Sequence, residues 1–371
     1  MTQRTKPPFR AEHVGSLLRP AALKQARLDR AADKIDAAQL RAIEDEAICE
    51  LVRQQEEVGL RAVTDGEFRR DSWHIDFYQQ IGGLVARGAA PAIKFKTQSA
   101  EIDYVMPSLQ IEARLSLPQT IFAADFTFLK SIAHATPKLT IPSPSVLHRR
   151  AIAALGNAAL YRDIDSFWRD LAAVYAQEIA QLGALGCTYL QIDDTSFATL
   201  CDPAQREGLS KIGADGEHIH ETYIRVFNES VKARPAGMGI VTHTCRGNHR
   251  SAWFASGSYD FIADALFNKL DVDGFFLEYD DERSGDFAPL RFLPKGKIAV
   301  LGLVSSKQRA LESKDHIKRR LEEATKYAPL DQLCLSPQCG FSSTLDGNEL
   351  SEAEQFAKLR LIAEVATEVW G

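Results

Sequence analysis

Eight short apolar runs recur along this chain, and most of them are separated by amphipathic helical patterns. That alternation limits the fold more than any other feature. The runs are His13–Ser16, Arg61–Thr64, Leu139–Ser143, Thr188–Asp193, Gly239–Thr244, Gly274–Glu278, Ile298–Val304 and Gln332–Ser336. Several show no polar/apolar alternation, the pattern of parallel strands covered on both faces. Between them, Leu40, Ile43, Ala47 and Leu51 form an apolar stripe that ends near Gly59. Phe167, Leu171, Val174, Ile179 and Leu182 form a second, closed by Gly183 and Gly186. Tyr223, Val226, Phe227 and Val231 mark a third, stopped at Pro235. Ser351 and Glu354 make a capping-box pattern ahead of a last helix reaching about Glu368. Eight strands alternating with helices predict an α/β fold of the (β/α)₈ TIM-barrel type, one catalytic domain over residues 1–371. No G-x-G-x-x-G or Walker pattern opens a helix, which disfavours a nucleotide-binding open sheet.

One stretch breaks the rhythm. Residues 67–138 separate the second and third candidate strands, and Lys94 to Phe128 reads partly as strand. Leu109, Ile111, Ala113, Leu115 and Leu117 alternate cleanly. The expectation is a β-rich insertion between strands two and three, hung over the C-terminal mouth of the barrel.

Composition narrows the function. The 371 residues are 45% apolar and 25% charged, which excludes a disordered or low-complexity chain. The net charge of −6 gives no basic excess for nucleic acid or an anionic membrane. Ile298–Val304 is too short to span a bilayer. Met1 to Arg10 has no apolar signal core, so a cytoplasmic protein with reduced thiols is expected. Six cysteines in a chain this long do not form a disulfide framework. Cys187 and Cys334 are expected in the core, while Cys49 on a helix and Cys201 on a loop do not look like ligands.

In such a barrel, chemistry gathers at the C-terminal ends of the strands. Here those ends carry Ser16, Asp65-Gly66-Glu67, Asp193-Asp194, His243-Thr244-Cys245, Glu278, Lys307 and Cys339. Each has a bland reading as a cap, a filler or a solvated group, but the fold would converge all of them on one mouth. His243 and Cys245 stand two apart, so in extended backbone they face the same side. Zinc takes four ligands from thiolate, imidazole and carboxylate groups, and Glu278 and Cys339 would complete such a shell.

With these residues in order, the chain resembles the cobalamin-independent methionine synthase family, in particular its catalytic barrel in short single-barrel members. The segments that carry the resemblance are Glu12-His13-Val14-Gly15-Ser16, Asp65-Gly66-Glu67, Gln191-Ile192-Asp193-Asp194, His243-Thr244-Cys245, Leu277-Glu278 and Pro337-Gln338-Cys339-Gly340. The resemblance implies Zn²⁺ on His243, Cys245, Glu278 and Cys339. It implies homocysteine held by Ser16, Glu67 and Asp193, with Glu67 and Asp193 at the ammonium and Ser16 at the carboxylate. The reaction implied is methyl transfer to the homocysteine thiol, giving methionine.

The chain departs from the family at the donor. The longer members carry a second, N-terminal barrel that is absent here, and a tryptophan after the third strand where this chain reads Ser143 to Arg150. Where they place a histidine after the seventh strand, this chain has Lys307, read as a residue that binds or orients the donor. The donor is left open between a methylfolate, methylcobalamin and a methylated corrinoid protein. The run from Arg246 to Arg250 is either part of the donor site or a solvated loop. Two alternatives remain. One is an alkyl transferase to another thiol, similar to epoxyalkane:coenzyme M transferases, with Arg19, Arg69 or Arg246 holding a sulfonate. The other is a non-catalytic zinc-binding barrel.

Overall fold

The computed structural model describes residues 3–151, 160–211 and 213–371. Its centre is a six-stranded, all-parallel sheet of β7 (Leu139–Pro142), β8 (Tyr189–Asp194), β9 (Gly239–Thr244), β10 (Gly274–Glu278), β11 (Ile298–Val304) and β12 (Leu333–Pro337), paired in chain order. Ahead of it, β1 (Ala62–Val63) pairs in parallel with β6 (Thr136–Pro137), which runs almost directly into β7. Thus the protein is an α/β fold built on parallel strands, and the strands fall where the apolar runs lie. The run at 13–16 is the exception. Its pairing sits earlier, as a parallel bridge between Ala11 and Leu335 of β12. Gly15 takes a positive φ of 139°, and its carbonyl accepts from Thr64 Oγ1 at 2.6 Å, so this segment contacts the β1 region without a ladder.

The strands are buried on both faces, and side-chain parity sorts the two. Leu190, Ile240, Phe275, Leu301 and Leu335 join the large core beneath the helices. Tyr189, Val241, Phe276, Val300 and Cys334 form a separate cluster with Phe9, Val14 and Ala62. Lys138 is buried beside this cluster, 3.3 Å from Glu12 Oε2 and 3.3 Å from Gln191 Oε1. Tyr189 donates to the other Glu12 oxygen at 2.8 Å, so the buried pair is fully hydrogen-bonded.

Helices follow the predicted stripes at Ala37–Glu57, Ile164–Ala184, Ile219–Val231 and Glu352–Trp370. The last begins with the expected reciprocal capping box of Ser351 and Glu354. The helix Ala21–Ala31 has only Leu23 and Ala26 buried, too faint a stripe to read. Within 67–138, β2 (Gly82–Ala89) pairs antiparallel with β5 (Pro107–Ser116), and β3 (Ile93–Lys96) with β4 (Glu101–Tyr104). Leu109, Ile111 and Leu115 are buried along β5, whereas Ala113 is exposed. The end of the stretch read as partly strand is instead the helix Ala123–Ile132, which buries Phe126 and Leu129 one turn apart. Among the described residues no helix is long and apolar enough to cross a membrane.

Glu178 is fully buried in the helix Ile164–Ala184. One carboxyl oxygen accepts from Ile121 N at 2.9 Å, and the other has no partner among the described residues. Burial pushes its pKa from 4.5 to about 8. A carboxyl raised on folding binds its proton more tightly in the native state, so its stabilising effect is present below pH 4.5 and is lost as pH rises toward 8. Glu178→Gln keeps the acceptor and removes the titration. Its melting temperature is expected to exceed wild type by a few degrees at pH 8.5 and to match it at pH 4, read by thermal denaturation across pH.

Candidate active site

The inner parity that places Tyr189, Val241 and Phe276 in the apolar cluster carries polar residues one step further along each strand. On β8 it continues through Gln191 to Asp193, on β9 to His243 and then Cys245, and on β10 to Glu278. Register puts Asp193 beside His243 and His243 beside Phe276. Cys339 arrives from the turn after β12.

His243, Cys245 and Cys339 are all buried, and one ligand atom from each lies within 4.8 Å of the others. The two sulfurs are 3.3 Å apart. His243 Nδ1 is 3.0 Å from Asp193 Oδ1, while Nε2 has no partner among the described residues. A proton on Nδ1 held by Asp193 leaves the Nε2 lone pair free to bind a metal, the usual arrangement of a histidine ligand and its supporting carboxylate. Burial works against protonating His243, but the hydrogen bond and charge of Asp193 raise its pKa above the ordinary value. The contact with Cys339, together with burial, pushes the Cys245 thiol well up. Two thiols this close ionise together only beside a cation, so this donor set fits a metal ion. Gly247 N donates to Cys245 Sγ at 3.2 Å and supports a thiolate there.

Glu278 stands apart from that trio. Its Oε2 accepts from Arg246 N at 2.9 Å; Oε1 has no hydrogen-bond partner among the described residues and lies 3.6 Å from Arg283 Nη2. Burial disfavours its charge, yet Lys307, Arg246 and Arg283 hold its pKa below the ordinary value. Lys307 is buried with its Nζ unpartnered among the described residues, and its charge also acts on Asp280. Neither Glu278 nor Lys307 lines the main cavity.

Ser16, Glu67, Asp193, His243, Cys245 and Cys339 all line that cavity. Glu67 sits in left-handed backbone at φ 60° after Gly66 at φ 67°. A Cβ on Gly66 would lie 2.5 Å from Leu51 and 2.8 Å from the Phe68 ring, so only glycine permits this turn. Glu67 Oε1 accepts from Thr140 at 2.8 Å, and Oε2 is buried without a hydrogen-bond partner among the described residues. Burial raises the Glu67 carboxyl above its ordinary range, against the pull of Arg70. Asp193 Oδ1 is already shared by His243 and by Gln191 Nε2 at 2.7 Å.

Arg19, Arg69 and Arg246 do not face the cavity. Arg19 donates to the carbonyls of Glu67 and Arg70 at 2.7 Å each. Arg69 pairs with Asp45, and Arg246 donates to Gly257 O at 2.6 Å while lying 4.2 Å over Tyr259. Gly247, Asn248 and His249 of the following run do line it. So do Arg149, Arg150, Trp73, Phe95, Tyr104 and Phe254, which sequence reasoning did not assign. The adjacent arginines after β7 were the available signal, but a basic pair in a helix's last turn also reads as a dipole partner.

The family described as cobalamin-independent synthase, catalytic domain, matches residues 9–368. An uncharacterized protein of Bacillus subtilis, YxjH, is 44% identical over 98% of this chain and 96% of its own. A methionine synthase of Saccharolobus solfataricus is 26% identical over 88% of this chain and 86% of its own. The crystal structure of a putative vitamin-B12 independent methionine synthase from Listeria monocytogenes superposes with a TM-score of 0.77 at 35% identity. It covers 99% of this chain and all of its own.

A Cβ on Gly340 would come within 2.0 Å of Ser16 Oγ. Gly340→Ala must therefore displace Ser16 or the turn that carries Cys339. The expected cost is about 1–3 kcal/mol of stability, typical of overpacking, measured by denaturant unfolding.

Proposed function

The chain belongs to the family of cobalamin-independent synthase catalytic domains, and we propose that it transfers a methyl group to the thiol of homocysteine, giving methionine. The observation that carries this reading is the buried trio of His243, Cys245 and Cys339, with an open His243 nitrogen, in the wall of a cavity that also holds Glu67 and Asp193. We take residues 1–371 as a single (β/α)₈ catalytic domain. The bridge from Ala11 to β12 and the β1–β6 pair would close the barrel, and the 67–138 insertion would cover its mouth.

His243, Cys245 and Cys339 would hold zinc, with Glu278 as the fourth ligand through Oε1, which makes no hydrogen bond among the described residues. Zinc, when bound, supplies the positive charge that lets a coordinated thiol lose its proton near neutral pH. Asp193 orients the His243 ring and fixes its tautomer. Glu67 then offers its free Oε2 to the substrate ammonium, with Asp193 adding negative charge nearby. Ser16 offers its hydroxyl to the substrate carboxylate. In the transfer, the sulfur lone pair forms the new S–C bond while the donor keeps the electron pair of the bond that breaks. Lys307 acts from behind Glu278, so we assign it the role of holding that carboxylate ionised.

Transfer to a sulfonate thiol gains no support from Arg19, Arg69 or Arg246, which the protein itself engages. A non-catalytic zinc module would leave Glu67 and the open cavity unexplained.

Cys245→Ser and Cys339→Ser are each expected to lose most of the roughly one zinc per chain of the wild type, read by metal analysis. Full retention in both rules the site out. Glu67→Gln is expected to weaken homocysteine by roughly 1.5–3 kcal/mol and to leave 4-mercaptobutyrate, which lacks the amino group, nearly unchanged. Titrating both thiols decides it. Turnover of homocysteine with 5-methyltetrahydrofolate, its polyglutamate form or methylcobalamin tests the reaction itself; absence of methionine with all three refutes it.

A further inference from the structure

Tyr189, Gln191 and Asp193, successive side chains on the inner face of β8, belong to a buried polar column that ends at His243. Its far end is Glu12, which accepts from Tyr189 at 2.8 Å and lies 3.3 Å from Lys138 Nζ. Its middle is Gln191, fully buried and set behind the cavity wall. Lys138 Nζ lies 3.3 Å from Gln191 Oε1. Gln191 Nε2 donates to the Val14 carbonyl and, at 2.7 Å, to Asp193 Oδ1.

These partners leave the Gln191 amide one orientation. An ammonium can only donate, and a carbonyl or an ionised carboxylate can only accept. Lys138 therefore holds the amide oxygen on its own side, and the NH₂ group must face Asp193. Asp193 Oδ1 then has two partners, Gln191 and the ring of His243, the latter at 3.0 Å. Its other oxygen makes no hydrogen bond among the described residues, and Asp193 itself lines the cavity.

Satisfying Lys138 alone needs only an acceptor at position 191, which a carboxylate also supplies. A carboxylate there would meet Asp193 with like charge, and a cationic side chain would neutralise it. An amide gives Lys138 its acceptor and Asp193 a neutral donor. It holds the carboxylate still and leaves its charge to act on His243 and on the cavity.

We propose that Gln191 is a positioning residue for the metal site: aimed by Lys138, it pins Asp193 Oδ1 against His243 and so fixes the ring that presents Nε2 to zinc. This rests on the zinc-dependent methyl-transfer reading for the identity of the metal. Gln191 touches neither metal nor substrate and acts only through Asp193.

The test is the zinc affinity of the full chain, read by competition with a chromophoric chelator. The proteins compared are wild type, Gln191→Glu, Gln191→Met, Asp193→Asn, and Asp193→Asn combined with Gln191→Glu. Each single substitution at 191 is expected to weaken zinc binding about tenfold or more, in the range for losing a group that orients a metal-binding histidine. Gln191→Glu keeps the acceptor that Lys138 needs, so it separates loss of the donor from a general defect in the column. Added to Asp193→Asn, Gln191→Glu is expected to change zinc affinity by no more than about twofold, because an amide at 193 can donate to a carboxylate at 191. A glutamine that only supports the fold costs the same in both backgrounds. Equal losses in the two backgrounds, or affinity within about twofold of wild type in both single variants, overturn the proposal even if the protein makes methionine. Zinc binding that depends on Gln191 through Asp193, in a protein that makes no methionine from homocysteine, leaves the positioning role standing and removes the methyl-transfer reading instead.

Discussion

A parallel strand covered on both faces has no solvent side on which to place an awkward residue. Every side chain goes either to the helix layer or to the inner face, and strand geometry decides which by a period of two. The rest of this molecule follows from that constraint. Leu190, Ile240 and Phe275 face the helices, so Tyr189, Val241 and Phe276 must face inward. The same period then carries Asp193, His243 and Glu278 inward at the strand ends. A one-residue slip would turn a charged or ligating group into the apolar layer at each strand. The apolar inner cluster therefore holds the register, and the register holds the site.

The site concentrates negative charge in a dry place and balances it with neighbours. Asp193 and Glu67 face one cavity, and Glu278 lies behind the two cysteines. Lys307, Arg246 and Arg283 offset Glu278. Arg70 acts on Glu67 and lies 4.1 Å over the Phe122 ring. At the inner end of the strands, Lys138 balances Glu12 inside a closed hydrogen-bond set. These cations are spent within the protein. Arg149 and Arg150 are different: they line the cavity half-buried, and among the described residues neither is in ion-pair contact with an acid.

Much of this was legible in the sequence for physical reasons. Ile298–Val304 and Gly274–Glu278 are buried on both faces, so their composition is nearly all apolar and their limits are sharp. The capping box at Ser351 is local chemistry that needs no partner element. The helix Ala123–Ile132 was not legible, since an apolar run of that length fits either a strand or a helix by periodicity. Nor was the pairing of Ala11 in place of the 13–16 run, which rests on backbone bonds to Leu335 more than 300 residues along the chain.

By itself the sequence determined the alternation of elements, the side chains that share a strand face, and the polar groups at strand ends, because these follow from periods of two and 3.6 along one chain. His243 and Cys245 were bound to face together for that reason. Tertiary structure alone decided distances between elements. It brought Cys339 to 3.3 Å from Cys245 across 94 residues of chain and left Glu278 on the Arg246 amide. It turned Arg19, Arg69 and Arg246 toward protein carbonyls, rings and acids, and Arg149 and Arg150 toward the cavity. A side chain's charge is written in the sequence, but its partner is chosen by packing, and the chemistry of this cavity rests on which charges packing left unpaired.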